Sequence, residues 1–356
     1  MPLTVLNIGY SLAPVGPDVA GGAEQVLSAL DHALAAAGHH SIVVAPQGSQ
    51  TAGTLIPTAP LPAPITDDAR RSMQHRQRRA IAEALDRWPI DLVHAHGLDF
   101  AEHLPAPGIP TLVTLHLPAE FYPPGSVSGG RPRTWFNCVS EAQQHSFPPL
   151  ANMLPPIPNG VPVDRLQARH AKRNFALSLG RICPEKGVHL ALDAAGLAGI
   201  PLLIAGQVFP YPWHQRYFDE EVRPRLGPTA RFLGPVGFDR KRRLLSAARC
   251  ILVPSLVAET GSLVALEALA CGTPVIAFPS GALAEIVEPG VTGFLVPDVH
   301  EMAEAIAAAH TMDPARCRDA VRRRFSLDRM IERYFAVYQQ LAPASRPHAA
   351  EPAAVR

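Results

Sequence analysis

The chain has 356 residues, 47% of them hydrophobic and 18% charged, with a formal net charge of +1. That length exceeds one ordinary core and suits two domains, and the apolar content excludes a disordered chain. The near-neutral balance excludes a global field for nucleic acid, and no apolar run reaches the roughly 20 residues that a membrane span needs.

In chain order, short β-branched runs alternate with helical stretches, the pattern of βαβ units and parallel sheets. Leu3 to Ile8 reads as the first strand. A loop carrying Gly21 and Gly22 follows, then a helix that Gly38 ends. Ser41 to Ala45 is a strand, Asp67 to Trp88 a long charged helix, and Leu92 to His94, Leu112 to Leu115 and Trp135 to Val139 are further strands. A Pro-rich stretch from Leu154 to Arg173 marks the boundary, and the pattern then restarts. Strands are expected at Phe175 to Leu179, Leu202 to Ala205, Ala230 to Leu233, Ile251 to Val253, Val275 to Ala277 and Phe294 to Val296. Helices are expected at Gly187 to Gly196, Ser262 to Ala270, Val299 to His310 and Leu327 to Gln340. The expected units are residues 1–165, residues 166–326, a final helix in 327–342 and a disordered tail, 343–356. Parallel sheets bind ligands off their strands' carboxyl ends, so a cleft between two such units is the natural site.

Three segments carry chemistry. In PSLVAETGSLVALEALACGTPVIA, residues 254–277, a strand ends at Val253, Glu259 lies in a turn, and Gly261 and Ser262 open a helix that bears Glu267. The free N–H groups of that helix start suit a diphosphate, and Glu267, on the order of 7 Å further along, reaches a neighbouring ribose. On spacing alone, a buried helix with a surface Glu at its start fits equally well. In GRICPEKG, residues 180–187, Arg181 and Lys186 flank a short loop after a strand and would clamp an anion; ordinary loop charge is the alternative. Gly21 and Gly22 follow the first strand without the GxGxxG dinucleotide fingerprint, so a tight turn explains them as readily as a phosphate contact.

Together these segments resemble the retaining glycosyltransferase family 4, over most of the chain. Members typically show E-G-F-G-x-x-x-x-E; this chain has Glu259, Thr260, Gly261, Ser262 and then Glu267. The resemblance implies a GT-B fold: two Rossmann-like parallel-sheet domains, a cleft between them, and a C-terminal helix crossing back to the first. It implies retaining hexosyl transfer from a nucleotide sugar, UDP-linked by preference and GDP-linked otherwise, with no metal or other cofactor. Glu259 would then contact the transferred sugar, Glu267 the ribose, and Arg181 and Lys186 the diphosphate. Gly21 and Gly22 belong to the loop that closes over the phosphates, Gly234 and Leu263 to the donor pocket, and His116, at the end of VTLHLP, meets the sugar. The change at Thr260 to Ser262 alters the loop against the donor sugar. A catalytically silent nucleotide-sugar-binding protein and a nucleotide-sugar epimerase are the alternatives.

His94 and His96 lie on one side of a strand, without a third or fourth ligand to complete a tetrahedral zinc site. There is no Asp-x-Asp motif. The basic runs at residues 70–79 and 240–243 read as solvated helix faces in preference to a peripheral membrane contact. The acceptor, whether sugar, lipid-linked glycan or small natural product, is left open, with its contacts expected around Phe121 to Arg133. Five scattered cysteines without a CxxC pair, and a start lacking a basic n-region, lead us to expect a cytoplasmic protein.

Overall fold

A computed structural model describes residues 2–168 and 170–342; the tail expected at 343–356 lies outside the described residues. The first sheet holds β1 (Thr4–Ile8), β2 (His40–Ala45), β3 (Thr54–Pro57), β4 (Leu92–Ala95), β5 (Thr111–Leu115) and β6 (Thr134–Cys138). The second holds β7 (Ala176–Leu179), β8 (Leu202–Ala205), β9 (Ala230–Phe232), β10 (Cys250–Val253), β11 (Val275–Ala277) and β12 (Gly293–Leu295). Every named pairing is parallel. Helices cover both faces of such sheets, which is why residues 42–45 of β2 are apolar without alternation and wholly buried.

The strand orders are β3-β2-β1-β4-β5-β6 and β12-β11-β10-β7-β8-β9. These are the same doubly wound order, the second seen from its other end. Each order reverses once, between β1 and β4 and between β7 and β10. Loops diverge at a reversal and leave a crevice at the strands' carboxyl ends. The four loops at the two reversals begin at Gly9, His96, Gly180 and Pro254; they contain Gly21, Arg181, Lys186 and Glu259, and Gly22 opens the helix after the first.

Several elements went unassigned from sequence, among them β3 and the helix after Asp313. β3 is a four-residue edge strand ending in Pro57, too short for a period to show. The helix Pro314–Phe325 is announced by Asp313, whose side chain accepts from the Ala315 N–H at 2.8 Å, and by proline at its first position.

The last helix, Leu327–Leu341, lies on the first sheet. Met330, Tyr334, Tyr338 and Leu341 are buried against Val5, Leu30 and Leu92, while Ile331 and Phe335 pack on the flank half-buried. The two crossings between the halves run side by side: Val161 N–H donates to Phe325 O at 3.0 Å, and Leu327 N–H to Val161 O at 2.9 Å.

Candidate functional site

The second sheet brings its two reversal loops together. Lys186 Nζ donates to Glu259 Oε1 at 2.5 Å, and Ser255 Oγ donates to the same oxygen. Burial alone would raise the Glu259 carboxyl, but Lys186, Ser255 and Arg181 outweigh it and hold it below its ordinary value. The backbone of Glu259 is fixed from behind, since its carbonyl accepts from Ala282 N–H at 2.7 Å. Gly281 makes that approach practicable: its φ is +57°, and a Cβ there would sit 2.3 Å from Glu259 O.

Ser262 precedes the helix Leu263–Ala270 without capping it, so its side chain satisfies none of the first N–H groups. One and a half turns on, Glu267 is buried and paired with Lys241. The sequence reading placed Lys241 in a solvated basic run. The structure divides that run: Lys241 turns inward to Glu267, while Arg242 bonds Asp239 and the Arg165 carbonyl. Gly234 lies after β9 with φ +69°, its carbonyl receiving Gly206 N–H at 2.9 Å.

The first half closes over these groups. Gly22 faces Leu263, and a Cβ on it would come within 3.4 Å of Leu263 Cδ1. Beside Gly21 the Glu24 carboxylate folds back to within 1.8 Å of where a Cβ would be. Glu24 itself went unnoticed in the sequence. Burial raises its carboxyl above the ordinary value, its own backbone N–H and Arg181 oppose that, and Asp99 adds to it. Across the cleft, Thr260 Oγ1 donates to the His116 carbonyl at 2.7 Å. Asn159 Nδ2 donates to Gly261 O at 3.1 Å, and a Cβ on Gly261 would clash with that amide at 2.8 Å.

His116 is buried, and burial pushes its imidazole down to about 3. Its N–H and that of Leu117 both donate to Tyr122 Oη, at 2.8 and 3.2 Å, which fixes the turn after β5. His116 Nε2 is bonded to His96 Nδ1 at 3.0 Å. His94, on the same side of β4, is tied to Tyr338 and Thr114. From the basic helix, Arg70 reaches Tyr10 Oη at 3.3 Å, and Phe121 stays exposed beside the expected acceptor loop.

Among the described residues, one trio of metal-ligating types gathers: Cys183, Glu185 and His214, with ligating atoms within 4.8 Å of one another. Burial pushes the Cys183 thiol up to about 11, and its Sγ donates to the Arg181 carbonyl at 3.8 Å. No helix among the described residues is long and apolar enough to cross a membrane.

The chain matches known proteins over both halves. A family model described as Glycosyltransferase Family 4 matches residues 20–165, and one described as Glycosyl transferases group 1 matches residues 173–311. The D-inositol 3-phosphate glycosyltransferase of Mycolicibacterium paratuberculosis is 32% identical over 294 residues, taking in 72% of this chain and 63% of that protein. The chain therefore spans under two thirds of that relative's length. The phosphatidyl-myo-inositol mannosyltransferase of Mycobacterium leprae is 28% identical over 367 residues, taking in 89% of this chain and 92% of that protein. The crystal structure of AviGT4, a glycosyltransferase involved in avilamycin A biosynthesis, superposes with a TM-score of 0.72 at 27% identity, covering 96% of this chain and 98% of that one.

Proposed function

This chain belongs to the family-4 glycosyltransferases of GT-B fold, and on that premise we propose that it transfers a sugar from a nucleoside-diphosphate sugar to an acceptor hydroxyl, with retention and without a divalent metal. The observation that carries the reading is the Lys186–Glu259 pair, set at the reversal of the second sheet beside a helix start. Arg181, Lys186 and the N–H groups before Leu263 supply positive potential to a leaving diphosphate. Glu267, steadied by Lys241, receives the ribose hydroxyls, and Glu259 the hydroxyls of the transferred sugar. UDP is the favoured carrier on the family resemblance.

Retention follows a same-face path. Glu259 is engaged by Lys186 and Ser255, which suits a hydroxyl acceptor more than an attacking nucleophile. The acceptor oxygen attacks the anomeric carbon on the side from which the diphosphate leaves. The departing phosphate oxygen takes the acceptor's proton, while the two cations hold the charge that develops. His116 meets the sugar from the first half, so the cleft must close before chemistry.

Calorimetry with UDP and GDP, in EDTA, tests the donor assignment. Wild type should bind one of them. Glu267→Ala should weaken that binding, and Glu259→Ala should leave it unchanged while harming transfer. The reverse pattern would exchange the two carboxylates, and no binding of either nucleotide would remove the proposal.

A further inference from the structure

We propose that His96 is a positioning residue: it donates its Nδ1–H to His116 Nε2 and thereby obliges His116 to present Nδ1–H to the donor sugar. This rests on the transferase reading above.

Burial depresses His94, His96 and His116 alike, so each ring is neutral at neutral pH and carries one N–H. The chain of bonds starts at Thr114. Its single hydroxyl hydrogen goes to Asn137 Oδ1 at 2.7 Å, so its oxygen accepts from His94 Nε2, also at 2.7 Å. His94 is therefore protonated at Nε2, and its Nδ1 accepts from the Tyr338 hydroxyl at 2.7 Å. Both nitrogens of His94 are satisfied, and its ring lies 3.9 Å from that of His96, centroid to centroid.

His96 has one bonded nitrogen, Nδ1, 3.0 Å from His116 Nε2. Its Nε2 is buried without a partner. If His116 donated, His96 would carry its proton on Nε2, leaving a buried orphan N–H. If His96 donates, the orphan is only an unshared lone pair. Orphan N–H groups are the rarer and costlier of the two in folded proteins. The second arrangement wins, and His116, its Nε2 occupied as an acceptor, keeps its proton on Nδ1. A donor there reads a sugar hydroxyl's oxygen. The support runs back from the cleft to Tyr338 on the crossing helix, so that helix braces the site as well as the sheet.

Nitrogen-15 NMR of histidine-labelled protein, assigned by loss of signal in His116→Gln, reads the tautomer without any need for turnover. Wild-type His116 should be protonated at Nδ1. His96→Asn places an amide N–H where Nδ1–H was and should keep that tautomer. His96→Leu should mix the tautomers and lower kcat about tenfold at unchanged nucleoside-diphosphate affinity, most of which His96→Asn recovers; a lost hydrogen bond to a reacting partner is worth about that much. A wild-type His116 protonated at Nε2 would overturn the inference, as would equal kcat in the two variants. If the protein turns over no donor yet shows these tautomers, the transferase reading fails while the His96-to-His116 bond and the tautomer it sets stand.

Discussion

Lys186 and Lys241 each hold one carboxylate of the E-x(7)-E pair, and the two were unequally visible in the sequence. Lys186 stands in a loop after a strand, with Arg181 as its companion, and that pattern marked it as a candidate without showing its pairing with Glu259. Lys241 sits among Arg240, Arg242 and Arg243, where charge composition does not say which side chain the helix turns inward. Glu24 was hidden for a related reason: a carboxylate in the first turn of a helix carries no local sign that it is buried. Lys186→Ala should leave the fold intact and lower transfer by two to three decades, the cost of a lost transition-state donor of about 2.7–4 kcal/mol. A melting curve and a donor turnover assay check this, and activity within about threefold of wild type would remove the diphosphate clamp. Lys241→Ala should act like a weakened Glu267→Ala, raising the nucleoside-diphosphate dissociation constant with little change in kcat. A loss confined to kcat would place Lys241 in the chemistry instead.

At the scale of elements, the helix Leu327–Leu341 was legible because its apolar positions follow three-four spacing. What spacing did not show is that Tyr334 and Tyr338 also place hydroxyls among Thr114, Asn137 and His94. Four large side chains buried by this helix are worth about 1.5–3 kcal/mol each, comparable to the whole stability of an ordinary domain. Truncation at Phe325 should therefore unfold the first half; a melting temperature unchanged from wild type would contradict the packing. The strand bearing His94 and His96 makes a second prediction. Below the ordinary imidazole value near ~6.5, the unfolded chain takes up protons that these buried rings refuse, so stability falls as the pH drops. At pH 5.5 the two rings should together cost about 3 kcal/mol relative to pH 7.5, and His96→Asn should remove roughly half of that loss. Urea unfolding at the two pH values measures it, and an identical loss in the variant would show that His96 titrates freely in the fold.

For the molecule as a whole, the strand pattern revealed two parallel sheets but not that they share one order, with one reversal in each. Pairing order depends on long-range contacts that a local period does not encode. The closed cleft was likewise invisible. Its contacts are a methyl group against Gly22, an amide against Gly261 and a hydroxyl on the His116 carbonyl. That last contact explains the departure at Thr260, since the glycine of the family pattern has no hydroxyl to give. Thr260→Gly should loosen closure by about 1 kcal/mol, a several-fold rise in KM for the donor with free nucleoside-diphosphate affinity preserved. Steady-state kinetics beside calorimetry separates the two, and an unchanged KM would mean that the hydroxyl bond adds nothing to closure.

The central claim is retaining transfer in which Arg181, Lys186 and a helix start do the work a metal does elsewhere. Proton NMR of the first-formed product, recorded in buffer with excess EDTA, tests it most directly. The account predicts a product with the donor's anomeric configuration, formed at an undiminished rate. An inverted anomer would contradict the same-face path, and activity lost in EDTA and restored only by magnesium or manganese would contradict the metal-free clamp.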